Sequence, residues 1–563
     1  MTTTLMPPRP ATSEPSPASR SQPEPVRMHH ASAEVRPTSP KERPTPPGER
    51  PASPNRWATL AVLCLSLLVI VVDTTIVNVA LPTLARQLHA TTSGLQWIVD
   101  AYTLAFASLL LLAGALADRF GRHRSLAAGL AAFAIASLAA ALTRTTAELI
   151  AARAAMGVAA AFIMPATLSI LTSVFTDRTE RAKAIGLWAA VSGLGVAIGP
   201  VAGGWLLAHF SWGSVFLVNL PIAGVALLAG RWLVPASRAP VPRRLDLAGA
   251  ALSVTAFAAL TYTLIQAPAD GWTSTATICR AVAAAGLLAA FAVWEMRSSH
   301  PMLPLALFRD PGFAGAATAI MLLFFALTGG VFLLTQIYQF VLGYSPLAAG
   351  VRTLPSAAML AIASPLGARV ARKFGTRVPV MTGLAMMTSG LALFATATVG
   401  ASYGHYVTAM IILSAGMGLA MAPATDAVMH RLPPALAGVG SAVNDTTRNL
   451  GSVLGVAVVG SVAASAYASH LGALHVAGPG ATAVARQSVG AAAAIAHQIG
   501  GTHGAALFHT VAAAFVTGAD RGVLVAAAAT LAGLVLAAYA LRGGAAPTIQ
   551  SVEGITGSSH ARV

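Results

Sequence analysis

A chain of 563 residues with 56% hydrophobic and only 10% charged residues, and a mean hydropathy of +0.70, is not a soluble globular protein; soluble domains carry about 25% charged residues. The net charge of +16 does not signal nucleic-acid binding, because Arg and Lys gather in alternate loops between apolar runs, the footprint of membrane topology. The two cysteines, Cys64 and Cys279, lie far apart, form no CxxC and give no disulfide framework.

Residues 1–55 are rich in Pro, Ser, Arg and Glu and read as a disordered cytoplasmic tail. No short apolar core with a small-residue cleavage site precedes Trp57, so the first membrane helix is expected to be retained. From there fourteen apolar segments follow, each near the length of about 20 residues that spans a bilayer. They are placed at 57–81, 96–116, 124–143, 147–171, 184–208, 213–234, 247–266, 277–295, 314–341, 350–371, 378–398, 406–429, 439–465 and 522–541.

The loops after even-numbered segments carry Asp118/Arg119/Arg122/Arg124, Arg178/Arg181/Lys183, Arg231/Arg238/Arg243/Arg244, Arg297/Arg309, Arg372/Lys373/Arg377 and Arg431. The opposite loops hold isolated residues such as Arg86, Arg144, Arg280 and Arg352. This asymmetry places both termini in the cytoplasm of a multi-pass cell-membrane protein. Residues 466–521, rich in Ala and Gly with scattered His, are expected outside the cell as a small cap. The spacing of those His residues fits no metal template.

Two loops eight segments apart resemble each other. Gly114–Arg124 and Pro365–Arg377 both place a small residue at a helix end, then basic residues and an aromatic-Gly turn. In the second copy Arg369 stands where the first has Asp118. If six helices form one bundle and two are inserted, the second copy opens the same position of a second bundle, a transporter architecture. The expected division is a 1–55 tail, a six-helix bundle at 56–235, inserted helices 7 and 8 with linkers at 236–312, a second six-helix bundle at 313–541, and a 542–563 cytoplasmic tail.

Three constellations carry charge into this apolar chain. Asp73 lies inside the first segment, where a carboxyl is expensive unless protonated, paired or facing water, and where it can trade a proton or form a structural hydrogen bond. Asn78 follows it, about 140° away on a helical wheel. Arg153 lies inside the fourth segment; it can hold or steer a carboxylate, or snorkel to the surface. In the Gly114–Arg124 loop, Gly121 permits a tight turn and Asp118 can accept from an arginine or cap a neighbouring helix. A fourth stretch, Ser192–Gly204, has Gly195, Gly199, Gly203 and Gly204 beside Pro200: small residues along one flank with a bend in the middle.

These stretches resemble the major facilitator superfamily, and within it the fourteen-helix drug/proton antiporter (QacA/EmrB-like) family. Gly114, Asp118, Arg119, Gly121 and Arg122 match the family's motif A, which the resemblance implies is a gate locking two bundles in the outward-facing state. Leu149–Ala161 resembles motif B, whose arginine is tied to proton transfer; Met156 replaces the usual Gln. Asp73–Pro82 resembles the first-helix motif of the fourteen-helix group. Gly195–Gly204 matches the antiporter motif C, G-x-x-x-G-P-x-x-G-G, at every fixed position. Trp212–Pro221 (with Gly213 where Arg is expected), Trp294-Glu295, His300-Pro301 and Tyr338–Pro346 resemble the same subgroup.

The expected fold is an all-α polytopic membrane protein of the major facilitator type, with two six-helix bundles and an inserted helix pair. The expected function is proton-coupled efflux of small amphipathic or cationic compounds by alternating access, with Asp73 and Arg153 coupling the proton. A dedicated exporter of one endogenous metabolite or antibiotic, and a transporter-like sensor or channel, are the alternatives. Asn78, Gln336, Tyr338, Gln339, Asn444, Asp445 and Arg448 are candidates to line the cavity. An interfacial belt explains Gln336, Tyr338 and Gln339 equally, and a mutual salt bridge is the favoured reading of Asp445 and Arg448. No Gly-Lys dipeptide, HExxH or CxxC occurs, so neither a P-loop ATPase nor a zinc hydrolase is indicated, and the chain is not read as an enzyme. The expected partners are the substrate, protons and the bilayer, with no cofactor, no metal and no nucleic acid, in a monomer.

Overall fold

Backbone groups inside a bilayer must find partners within the chain, which leaves helices as the spanning element for a sequence with no alternating pattern. The computed structural model describes residues 55–237, 246–298, 301, 305–432, 437–471 and 479–541, and these are helical with no strand among them. The tails expected at 1–55 and 542–563 lie outside the described residues, apart from Asn55.

The first bundle comprises α1 (Arg56–Gln87), α2 (Thr92–Phe120), α3 (Arg122–Leu142), α4 (Thr146–Val174), α5 (Arg178–His209) and α6 (Asn219–Leu233), the last preceded by one turn at Ser214–Leu217. The inserted pair is α7 (Leu247–Asp270) and α8 (Thr275–Arg297). The second bundle begins with α9 (Pro311–Gln336), which runs on into a π-helical turn at Ile337–Val341. Next come α10 (Pro346–Phe374, interrupted at Thr353), α11 (Arg377–Phe394) and α12 (Tyr403–Met429). Helix α13 joins Ala437–Leu454, a second π-turn at Gly455–Val459, and Gly460–Leu471; α14 is Gly501–Ala540. Among the described residues thirteen helices are long and apolar enough to cross a membrane, and α2 makes a fourteenth when its halves, bent by 54° between Leu110 and Leu112, are taken as one span.

Local sequence fixes where the helices start. Thr91, Thr145, Asp177, Asp246, Ser274, Asp310 and Ser345 each accept a hydrogen bond from a backbone N–H in the first turn of the helix they precede. Each such cap is worth about 0.5–2 kcal/mol relative to Ala. Trp294 Nε1 on α8 donates to the same Asp246 carboxylate at 3.0 Å, tying the inserted pair together at that end.

The end from which α1 starts is here called proximal, and the opposite end distal. Helices α1 and α5 run parallel from an Arg56–Glu180 ion pair of 2.5 Å at their proximal ends. Gly195 lies against Val71 and Leu68, Gly199 against Thr75, and Gly203 against Ile76. The inserted pair flanks the seam between the bundles: α7 packs on α2 and on the distal part of α13, where Trp272 Nε1 donates to Ser465 Oγ at 2.9 Å.

The segment 466–521, expected outside the cell as a small cap, is largely helical over its described residues. Helix α13 continues to Leu471, short helices occupy Pro479–Gln487 and Val489–Ile499, and α14 begins at Gly501. At about 1.5 Å per residue the 40-residue α14 is near 60 Å long, twice the hydrocarbon core of a bilayer. Hydropathy finds only its apolar half, whereas the Ala-rich half before it is helical by intrinsic preference.

Candidate functional site

The first bundle holds a charged network at its centre. Asp73 on α1 is 0% exposed and Arg153 on α4 is 1% exposed, and Arg153 Nη1 lies 2.5 Å from Asp73 Oδ2. The other carboxylate oxygen, Oδ1, accepts from Asn219 Nδ2 of α6 at 2.9 Å. Asn219 Nδ2 also reaches Ser137 Oγ of α3 at 3.0 Å, and that hydroxyl donates to the Phe216 carbonyl at 2.8 Å. Arg153 Nε donates to the Ile98 carbonyl of α2 at 3.0 Å, and the guanidinium carbon sits 4.3 Å from the centroid of the Tyr102 ring. Five of the six helices thus contribute to one ion pair.

Each member has a structural reason to be where it is. Arg153 lies seven residues into α4, about 10 Å from its distal start, too deep to snorkel there, so it turns inward to a carboxylate, a carbonyl and a ring face. Helix α4 approaches α2 closely because Gly157 faces the Tyr102 carbonyl, with no room for a side chain. Met156, which stands where the family motif has Gln, is fully buried. A buried pair of this kind is held by its hydrogen bonds as much as by its charges; losing one partner leaves an uncompensated charge.

A further buried carboxyl, Asp100, is not among the residues singled out from the sequence. It lies on α2, 0% exposed, and neither carboxylate oxygen has a hydrogen-bond partner among the described residues. One turn earlier, Gln96 Nε2 donates to the Val456 and Ala457 carbonyls at 3.0 and 3.1 Å, where the π-turn of α13 leaves them accessible, and contacts Ser461 Oγ at 3.3 Å. The rule that selected Asp73, a carboxyl inside an apolar run, selects Asp100 as well.

The seam between bundles is closed distally. Besides the Gln96 contacts, Gln339 Nε2 in the π-turn of α9 donates to the Val79 carbonyl of α1 at 2.9 Å. Ser488 Oγ donates to the Ala90 carbonyl at 3.2 Å. The first turns of α10 lie on the Gly199–Gly204 stretch of α5: a side chain at Gly204 would strike the Leu347 backbone, and one at Gly350 the Pro200 carbonyl. The small-residue stretch therefore has two faces, Gly195, Gly199 and Gly203 toward α1 and Gly204 toward the second bundle.

At the proximal end the charge pairs stay within a bundle. Asp118 accepts from Arg122 Nε and Nη2 at 3.0 and 2.9 Å, and Arg122 Nη1 donates to the Ser169 carbonyl at 3.3 Å. Gly121 makes the turn between α2 and α3 at φ +111°, a conformation that needs glycine. A side chain begun at Gly114 would meet Pro165 of α4 at ordinary contact distance, and Arg119 lies beside Phe120. Asp310 and Arg431 pair at 2.8 Å inside the second bundle. Beside the proximal half of the seam lies a cavity of about 150 Å³, walled chiefly by Leu104, Phe257, Phe291, Phe308, Met321 and Leu450 of α2, the inserted pair, the turn before α9, α9 and α13.

The remaining candidates fall outside that cavity wall. Asn78 is half-buried and donates to the Thr74 carbonyl. Gln336 and Tyr338 are buried at the distal end of α9, Gln336 donating to the Phe332 carbonyl. Asn444 accepts from Thr425 at 3.2 Å, and Asp445 and Arg448 lie 3.5 Å apart with Arg448 also over the Phe324 ring. Their neighbours Thr446 and Thr447 do border the cavity.

The profile of the Major Facilitator Superfamily matches residues 63–456. The chain is 35% identical over 488 residues to the multidrug efflux pump LfrA of Mycolicibacterium smegmatis, covering 86% of this chain and 96% of that one. It is 37% identical over 412 residues to the multidrug resistance protein Stp of Mycobacterium tuberculosis, covering 72% and 76%. To the tetracenomycin C resistance and export protein of Streptomyces glaucescens it is 34% identical over 412 residues, covering 73% and 76%. Among solved structures, an inward-facing, unoccupied bacterial homolog of the human lysosomal transporter Spinster superposes with a TM-score of 0.62 at 18% identity, covering 88% of this chain and 100% of that one. At that identity the likeness is one of fold.

Proposed function

The chain belongs to the major facilitator superfamily, a transporter family rather than an enzyme family, and on that premise we propose that it is a proton-coupled drug exporter of the cell membrane. The observation that carries the coupling is the fully buried Asp73–Arg153–Asn219 network. The efflux and resistance names of the relatives support export of drugs; the substrates in this reading are small amphipathic or cationic compounds.

In this reading the proximal face is cytoplasmic, both termini are inside, and the protein works as a monomer. The distal seal and the proximal cavity describe the conformation that receives substrate from the cell. The ionised Asp73 carboxylate is held by Arg153 and Asn219. Protonation cancels that charge, frees the Arg153 guanidinium and removes the reason for α1 and α4 to stay locked, which biases the two bundles toward the opposite facing. Asp100, whose carboxyl has no hydrogen-bond partner among the described residues, is in this reading the second proton-bearing group. The division into 56–235, 236–312 and 313–541 is kept as part of this reading. Gly114–Arg122 gates the proximal side and Gly195–Gly204 the distal side.

Everted vesicles test this directly. Adding substrate to vesicles with a preset pH gradient should dissipate it in a saturable way, and Asp73→Asn should abolish that response while the protein still reaches the membrane. Unchanged efflux in Asp73→Asn would remove the network from the mechanism. A second reading, an exporter dedicated to one antibiotic, is favoured by the resemblance to the tetracenomycin C resistance and export protein. Substrate profiling in an efflux-deficient host separates the two: one responding compound supports the dedicated exporter, several unrelated ones the multidrug pump.

A further inference from the structure

Arg352 ends the first piece of α10, at the distal side, and no described carboxylate pairs with it. Its guanidinium carbon lies 4.1 Å from the centroid of the Tyr344 ring and 5.6 Å from that of Tyr403. Tyr338 stands against both rings, with centroids 5.9 Å away in each case. Arg352 Nη1 donates to the Ala348 carbonyl of its own helix at 3.2 Å, and Tyr403 Oη donates to the Arg352 carbonyl at 3.2 Å. The cation is thus met by π faces and a carbonyl, the arrangement used to hold guanidinium and quaternary ammonium groups.

The same short piece, Pro346–Arg352, carries Leu347 and Gly350, which lie on Gly204 and Pro200 of the first bundle. The helix is interrupted at Thr353, immediately after Arg352. Opening the distal side must lift α5 from this piece, and the interruption lets the piece tilt without dragging the rest of α10. Tilting draws the Arg352 side chain off the rings. Tyr344 is fixed from another direction, its N–H donating to the Tyr338 carbonyl at 2.9 Å in the turn after α9, and Tyr403 opens α12. The rings stay behind with their faces uncovered.

We propose that the tyrosine cluster Tyr338–Tyr344–Tyr403 is a distal cation site, filled by Arg352 while the distal side is closed and handed to an organic cation when that side opens. Arg352 is a tethered substitute for the ligand. The ligand class is a guanidinium, quaternary ammonium or other delocalised monovalent cation, because the wall offers ring faces and, among the described residues, no carboxylate paired with Arg352. A ring-face contact is weak enough to exchange during a transport cycle. The exit role rests on the export reading, whereas the cage and its exchange do not.

The test is cation competition on the purified protein in nanodiscs, read as the distance between spin labels at Phe210→Cys and Leu354→Cys in a Cys279→Ser background. The unmodified gate should give mainly short distances. Arg352→Ala should raise the ratio of open to closed distal distances by about fivefold, the equivalent of one ring-face contact. Methylguanidinium, which takes the rings when Arg352 leaves them, should raise the open fraction of the unmodified gate saturably, and sodium chloride at equal ionic strength should not. Adding Tyr403→Leu should abolish that response. Arg352→Lys, which keeps the charge but not the planar group, serves as a second variant and should open the gate less than Arg352→Ala. Closed distances in both variants, a response to salt alone, or a response that survives Tyr403→Leu would each overturn the proposal. Failure of the export reading would leave this result standing; it would show instead as no transport of any cation by a gate that responds normally.

Discussion

The two bundles repeat one architecture and spend their interiors differently. In the first, α1 and α4 meet through Asp73 and Arg153, with Asn219, Ser137 and Tyr102 around them. In the second, the interior of α9 and α12 is Phe332, Tyr406, Met410 and Met417, and its buried amides Gln336 and Gln339 donate to backbone carbonyls rather than to charges. Both bundles hold charge, but the fully buried pair is in the first; in the second, Asp310–Arg431 and Asp445–Arg448 keep partial access to solvent, and Asp520 lies on α14 with one buried carboxylate oxygen. Thioether and ring side chains adapt to ligands of varied outline, whereas in the proposed reading the Asp73–Arg153 pair answers to a proton. On the proposed reading, coupling belongs to the first half and accommodation of substrate to the second.

The strongest way to break this comparison is at the ion pair. Arg153→Met leaves Asp73 buried without a counter-charge and should cost about 3–5 kcal/mol, seen as a lower unfolding midpoint in detergent as well as lost efflux. Asp73→Asn with Arg153→Met should recover much of the stability and none of the coupling. If the double variant is as unstable as Arg153→Met, the pair is scaffolding and the asymmetry is not functional.

Next in size is the α1–α5 contact. Gly199→Leu drives a side chain into Thr75 and should destabilise by about 1–3 kcal/mol, with transport impaired more than membrane insertion. Normal efflux in that variant would return the glycine stretch to plain packing. Gln339→Leu is smaller: it removes one hydrogen bond across the distal seal and should loosen closure by about 0.5–1.5 kcal/mol, read from the same distal distances. Smallest is Met417→Leu in the second bundle, a volume-conserving change expected to cost less than about 1.5 kcal/mol and to alter which compounds are exported rather than whether protons move. A loss of proton release in Met417→Leu would show that the halves are not divided as described.

Most of the architecture was legible because bilayer-spanning segments announce themselves by length and hydropathy, and the seam glycines by spacing. Asp73 and Arg153 were each visible as a charge in an apolar run. Their pairing was not, because 80 residues separate them and helical periodicity reports a face, never the neighbour it meets. Asn219 could be noticed only as part of a resemblance, since an amide between Val218 and Leu220 has many uses. Asp100 was lost for a different reason. The expected start at 96 put it near a helix end, where a carboxylate reaches water; α2 starts at Thr92 and that position is fully enclosed. The cation cage was invisible because Arg352, Tyr338, Tyr344 and Tyr403 come from three separate pieces of chain.

The π-turns of α9 and α13 set a rotational phase. An α-helix advances about 100° per residue, so the residue added by a π-turn puts the segments before and after it out of step by about that angle. In α13 the part before Gly455 turns Gly451 toward Met321 of its own bundle, and the part after Val459 turns Gly460 toward Gln96 of the other. In α9 the turn likewise directs Gln339 to Val79 while Gly329 still faces Val459. Each helix therefore serves two partners with one continuous strand of sequence, like a shaft cut with two offset keys. A heptad or wheel drawn through either turn at constant angle assigns the distal residues to the wrong neighbour.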